Sequence, residues 1–154
     1  MDLRREFFSQ LLKMAKEDKK IILITCDLGF SFCEEFQNTL PLQFINAGIA
    51  EQNAVGVAAG LAIGGYKPYV YSNALFLTSR ANEFVRDDIC YNKLDVKLVG
   101  TDASGFLGFT HNREPSDEDR LLIGHFPNIK LFFPKIANKL KEALSYNGAV
   151  YIGL

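Results

Sequence analysis

Short runs of β-branched and aromatic residues, separated by stretches long enough for a helix, constrain this chain more than any other feature. They fall at 21–25, 69–71, 96–99, 129–133 and 150–152, with a briefer pair, Phe44 and Ile45, that breaks at Asn46-Ala47-Gly48. Runs this short and this continuously apolar fit strands buried on both faces. Between them, apolar spacing predicts helices. Leu3, Phe7, Phe8, Leu11, Leu12 and Ala15 share one helical face, and Leu77, Ala81, Phe84, Val85 and Ile89 point inward from a helix over 75–91. Further helices are expected at 32–38, before Pro41, and at 136–146, and a short one ends near Phe126. Strands alternating with helices along the whole length predict an α/β fold, a three-layer, doubly wound, mostly parallel sheet. Ligands of such sheets sit outside the carboxyl ends of the strands. Here that edge carries Asp27, the 46–51 segment, the 72–76 segment and the loop 101–112.

The most unusual segment is 51–65. After Asn53 nearly every residue is small or apolar, so a helix there is expected to be buried all round. Gly56 and Gly60 lie four apart on one face, where a second backbone, such as that of another subunit, could come very close. In a helix interior each glycine is about 1 kcal/mol worse than alanine. The same spacing also fits a central helix in a monomeric core.

Bulk properties narrow the class. With 154 residues, 48% apolar and 23% charged, the chain is large enough for one cored domain. A net charge of −1 gives no electrostatic reason to expect nucleic acid or an anionic membrane as partner. The longest apolar run, 54–65, is shorter than the ~20 residues that span a bilayer, and MDLRREFF has no secretory core. Cys26, Cys33 and Cys90 form no CxxC and have no nearby histidine, so no metal site is expected; reduced, structural thiols and a cytoplasmic location are.

Residues 45–62, INAGIAEQNAVGVAAGLA, resemble the segment of transketolases that carries the cofactor-activating glutamate, close to the split, two-subunit members. The resemblance extends over 1–154 as a pyrimidine-binding domain. Pro68 to Arg80 is similar to the aromatic segment over the cofactor ring, 95–100 to the next strand, Thr110-His111 to the substrate loop, and Phe126-Pro127-Asn128 with Pro134 to the family's close. The resemblance implies thiamine diphosphate as cofactor. A carboxyl group bonded to N1′ of its aminopyrimidine drives the tautomer that activates the thiazolium, so the protein tunes the cofactor and the cofactor does the carbon chemistry. Glu51 matches that group, and its neighbours Ala50, Ala54 and Val55 make an apolar setting suited to proton sharing. Taken alone, Glu51 would read as an acidic residue in a helix's first turn.

The implied cofactor contacts are Glu51, Phe76 (stacked on the pyrimidine), Asp27 (near the thiazolium), Ile49 and Arg80. The implied substrate contacts are Arg5, Ser31, Asp102 and His111, with His111 also catalytic, on the donor's terminal hydroxyl. Several have a plainer reading: Arg5 a solvated helix residue, Ser31 an N-cap, His111 a loop residue, Asp27 a loop cap, Phe76 a core ring. The pattern also departs from the family. Asn73 stands where relatives often carry a second aromatic, the acidic glycine stretch before Thr110 is shortened, Asp102 lies near a phosphate-contacting histidine's place, and Gly153 replaces a late arginine. A less phosphate-friendly site is expected.

No Gly-Asp-Gly…Asn motif for the diphosphate and Mg²⁺ occurs within residues 1–154, so neither a diphosphate-binding domain nor the family's third domain is expected in this chain. The expected protein is one subunit of a split enzyme, completed by a partner carrying the diphosphate-binding domain, in an α2β2 heterotetramer. It would transfer a two-carbon unit from a ketol donor to an aldehyde or ketone. The alternatives are a subunit of a 2-oxo acid decarboxylating enzyme and a non-catalytic regulatory subunit that kept the fold.

Overall fold

Each predicted strand forms, and all six are parallel. The computed structural model describes residues 2–101 and 118–154. In chain order the elements are α1 (Leu3–Glu17), β1 (Ile21–Thr25), α2 (Glu34–Thr39), β2 (Phe44–Asn46), α3 (Glu51–Ile63) and β3 (Lys67–Asn73). They continue with α4 (Asn82–Phe84), β4 (Lys97–Thr101), α5 (Glu118–Ile123), β5 (Ile129–Phe132), α6 (Ala137–Leu144) and β6 (Ala149–Gly153). The sheet order is β2-β1-β3-β4-β6-β5. The chain leaves β1 toward the β2 edge and returns on the other side of β1 as β3. This reversal places a topological switch point between the carboxyl ends of β1 and β3.

Strict alternation sorts the strands' side chains into two cores. Ile22, Ile24, Val70, Leu98 and Tyr151 face α3, the 76–91 segment and α5, while Ile21, Leu23, Tyr69, Tyr71, Val99 and Val150 face α1, α2 and α6. In α1, Phe7, Phe8, Leu11, Leu12 and Ala15 are buried as their spacing predicts, and Asp2 caps the helix by accepting the Arg4 amide at 3.0 Å. The buried amide of Gln43 donates to the carbonyls of Ala15, Asp18 and Ile21, tying the end of α1 to the start of β1.

Three expectations need correction. The helix over 75–91 is not one α-helix. Widened π-helical turns at Phe76–Arg80 and Val85–Tyr91 flank the short α4. Leu77, Ala81, Val85 and Ile89, all fully buried, repeat every four residues, longer than the 3.6 of an α-helix. Widened turns keep that longer repeat on one face. Second, α3 is not buried all round. Ala54, Val55, Ala58 and Ala59 face the core, but Val57 and Ile63 are exposed, and a Cβ added at Gly56 or Gly60 would meet nothing within 4 Å. The glycine face is therefore open in this chain, which removes the reading of a helix enclosed in a monomeric core. Third, α2 begins at Glu34, and its N-cap position is Cys33, not Ser31.

Candidate active site

Glu51 opens α3, which crosses from β2 to β3, so its side chain arrives at the switch point from the connection between the two strands. The approach is shaped by Asn46 at the end of β2. Its Oδ1 accepts the amides of both Asp27 (3.1 Å) and Gly48 (3.0 Å), pinning the ends of β1 and β2 together. Gly48, with φ of 73°, makes the left-handed turn into α3 that a side chain would strain. Asp27 is itself left-handed, at φ 54°, and its carboxylate accepts from the Asn46 amide at 3.3 Å.

Glu51 is completely buried, and both of its oxygens are held. Ser72 Oγ donates to Oε1 at 2.8 Å, and Arg80 Nη1 donates to Oε2 at 2.8 Å. The setting is thus less apolar than Ala50, Ala54 and Val55 alone predict. A buried carboxylate without a partner is strongly unfavourable, and the guanidinium supplies the counter-charge. The Arg80 guanidinium also lies over the Phe76 ring, 4.0 Å from its centroid. Cys26 borders the same carboxylate. Burial, then the charge of Glu51, push its thiol up to about 12, against the opposing effects of the Ser72 hydrogen bond and Arg80. A thiol so placed stays protonated and is no nucleophile.

The residues expected at the site are therefore distributed. Glu51, Phe76 and Arg80 come together in one contact network, and Asp27 sits at the adjoining strand end. Ile49 is exposed just before α3. Arg5 and Ser31 share a different cavity of about 400 Å³, whose lining contains neither Glu51 nor Phe76 but includes Glu34 and Glu35. There Arg5 lies 5.3 Å from the Phe32 ring centroid. The Ser31 amide donates to Glu34 at 2.8 Å, which holds that carboxyl below the usual range. Asp102 and His111, with the loop around Thr110, lie outside the described residues. Gly153 packs against Phe133, leaving no room for a Cβ.

Sequence reasoning gave no role to Ser72 or Asn46. Ser72 lies in an edge segment flagged for chemistry, but a lone serine at a strand end carries no signal of its partner. Asn73 and Thr101, paired in register at the carboxyl ends of β3 and β4, each bury a polar atom (Nδ2 and Oγ1) without a hydrogen-bond partner among the described residues. Orphaned groups of this kind are expected where a ligand or ordered water completes the structure. A buried carboxylate beside a half-buried aromatic ring, with free polar atoms at the same sheet edge, suits an aminopyrimidine. Among the described residues no cluster of three or more His, Cys, Asp or Glu could hold a metal ion.

The model of the transketolase pyrimidine-binding domain matches residues 1–149. The chain belongs to this family. It is 36% identical to one of the subunits of the apulose-4-phosphate transketolase of Phocaeicola vulgatus, over 97% of the chain and 49% of that protein. It is 31% identical to a putative transketolase C-terminal section of Methanocaldococcus jannaschii, over 97% and 49%. Among solved structures, a split-gene transketolase described as an inactive β4 tetramer superposes with a TM-score of 0.85 at 37% identity, covering 98% of this chain and 50% of that one. The chain spans about half the length of the curated relatives it matches. The family's fold is the six-stranded parallel sheet described above. Among the described residues no helix is long and apolar enough to cross a membrane.

Proposed function

We propose that this chain supplies the aminopyrimidine half of a thiamine-diphosphate site in a split transketolase, with Glu51 as the cofactor-activating carboxylate. The observation that carries the reading is a completely buried Glu51 at the switch point, oriented by Ser72 and adjoining Phe76 and Arg80. The cofactor, when bound, supplies the nucleophilic carbon that takes up a two-carbon ketol unit. The chain's own residues do the rest. Glu51 shares a proton with the pyrimidine nitrogen, Ser72 keeps the carboxylate turned toward it, Phe76 offers a ring face, and Asp27 and Ile49 border the cofactor's path. Asn46 holds the strand ends that frame this arrangement. His111, at the donor's terminal hydroxyl, and Asp102 complete the substrate side.

The diphosphate and its Mg²⁺ belong to a partner subunit, in an α2β2 assembly to which the open Gly56/Gly60 face of α3 contributes. The donor is a ketol and the acceptor an aldehyde or ketone; the relative named for apulose 4-phosphate supports a ketose-type substrate. Glu34 and Glu35 beside Arg5 and Ser31 favour a substrate that presents less phosphate there than pentose and hexose phosphates do.

The test is calorimetric titration of thiamine diphosphate and Mg²⁺ into this chain alone and with its co-purifying partner. Binding only with the partner is expected. Glu51→Ala should then lower ketol transfer on the order of hundreds-fold or more. Undiminished turnover in that variant would overturn the assignment, and release of carbon dioxide in place of ketol exchange would move the chemistry to 2-oxo acid decarboxylation.

A further inference from the structure

One side chain holds both groups that a bound aminopyrimidine would touch. Arg80 Nη1 donates to Glu51 Oε2 at 2.8 Å, and the carbon of the same guanidinium lies over the Phe76 ring, 4.0 Å from its centroid, within stacking distance. A guanidinium is a flat, delocalised fork that pairs with carboxylates and stacks on aromatic rings. An aminopyrimidine in the same place makes the same two contacts, an in-plane hydrogen bond to the carboxylate and a face on the ring. We propose that Arg80 is a built-in occupant of the aminopyrimidine half-site, which the cofactor displaces on binding. The inference rests on the reading of Glu51 and Phe76 given above.

The geometry shows which groups can move. The Arg80 side chain is 39% exposed and has water to swing into, whereas Glu51 is 0% exposed and has none. Arg80 closes the widened turn Phe76–Arg80, and the backbone leaves helical geometry at the next residue, Ala81, with φ −95° and ψ 15°. Widened turns of this kind frequently sit at functional sites. Ser72 binds the other oxygen, Oε1, so the carboxylate keeps its orientation when Oε2 is released. The exchange also answers a physical problem. Before the cofactor arrives, a buried carboxylate needs a counter-charge to remain in the fold. Arg80 supplies it, at the expense of cofactor affinity, because only the fraction of molecules with Arg80 withdrawn is competent to bind.

The experiment uses the chain assembled with its co-purifying partner and compares the wild type with Arg80→Ala and Arg80→Lys. Thiamine diphosphate with Mg²⁺ is titrated calorimetrically, and melting is followed with and without it. If Arg80 fills the site nine-tenths of the time, Arg80→Ala tightens Kd about tenfold. The unloaded variant melts below wild type, and its rise in Tm on cofactor binding exceeds the wild-type rise. A weakened Kd would show that Arg80 holds the cofactor, and an unchanged Kd with an unchanged Tm rise would show that it does not occupy the site; either overturns the inference. Should Arg80→Ala fail to fold without cofactor, Arg80→Lys carries the test. It keeps a charge for Glu51 but no plane for Phe76, so a tightened Kd supports displacement and a weakened or unchanged one refutes it. Failure of the functional reading itself is distinct. There, the wild-type assembly does not bind, or its binding is indifferent to Glu51→Ala, whatever Arg80 does.

Discussion

At each edge of the sheet a charge is buried, and the two are partnered in different ways. At the carboxyl edge Glu51 meets Arg80, 29 residues away, on an irregular turn that leaves the arginine half in water. At the amino edge Lys97, the first residue of β4, pairs with Asp95 only two residues before it. Asp95 also accepts the Gly148 amide at 3.0 Å, so backbone locks the pair in place. Nearby, Lys67 pairs with Asp18 at 2.7 Å, and both pairs line a cavity of about 850 Å³ between the ends of α1 and α6. Cavity size alone would direct attention there. Lys67 and Lys97 in that wall each have a close carboxylate, however, and among the described residues a single polar atom there, Gln10 Oε1, is orphaned. The carboxyl edge has a half-exposed partner for its buried charge and two orphaned polar atoms, on the adjacent Asn73 and Thr101. A locally partnered buried charge is part of the framework; the distantly partnered one, with water beside it, is where the proposed exchange of Arg80 for a ligand would take place.

The strongest way to break this contrast is at the amino edge. Asp95→Ala leaves Lys97, 2% exposed, without its partner and should lower unfolding stability by about 3 kcal/mol. Lys97→Met removes the charge with its need for a partner and should be far milder. Urea unfolding of the two variants measures both, and equal losses would mean that the pair is not a unit.

Alkaline pH sharpens the comparison. Burial pushes the Cys90 thiol up to about 12, and burial plus the charge of Glu51 do the same for Cys26. Groups raised in this way stabilise fully below the unfolded thiol value, and that stability is lost as pH climbs from there toward the folded value. Each thiol then removes about 1.4 kcal/mol per pH unit. Lys97 has the opposite sign, because burial lowers its value: its protonated form is disfavoured in the fold, and stability is regained as pH approaches the lysine reference value of 10.5. Unfolding stability should still fall across this range, because the Cys26, Cys33 and Cys90 thiols and the Tyr69 hydroxyl, all raised by burial, outweigh one lysine. Cys90→Ala should make the fall shallower, and Glu51→Gln should reduce the Cys26 share and leave that of Cys90 untouched. A pH series of urea transitions tests this.

The smallest effect is expected at Gly60. With nothing within 4 Å of an added Cβ, Gly60→Ala should stabilise the unassembled chain by up to about 1 kcal/mol. If the open face of α3 meets a subunit, the same change should weaken assembly, as sedimentation would show. Undisturbed assembly would place the contact elsewhere.

Much of the fold was legible because short apolar runs and helical spacing are local properties. All six strands, the buried face of α1 and the start of α3 at Glu51 could be read along the chain. Two features were misjudged for a common reason. The apolar run of α3 reports that its residues avoid water, not what covers each face, and the four-residue repeat of Leu77, Ala81, Val85 and Ile89 was close enough to helical spacing to hide the widened turns. The candidate site was legible in part. Glu51, Phe76 and Arg80 stood out through family resemblance, whereas Ser72 and Asn46 did not, because a serine or asparagine at a strand end acquires a role only from what the fold brings beside it.

By itself, then, the sequence determined the alternation of strands and helices, the two layers over the sheet, and the carboxyl edge where the candidate chemistry lies, since propensity and periodicity act between near neighbours. Only the tertiary structure decided that Arg80 reaches back to Glu51 across the Phe76 ring, that Ser72 holds the other oxygen, and that the glycine face of α3 stays open. Those outcomes depend on which charges are buried together and which surfaces are left uncovered, and both are settled by contacts between segments far apart in the chain.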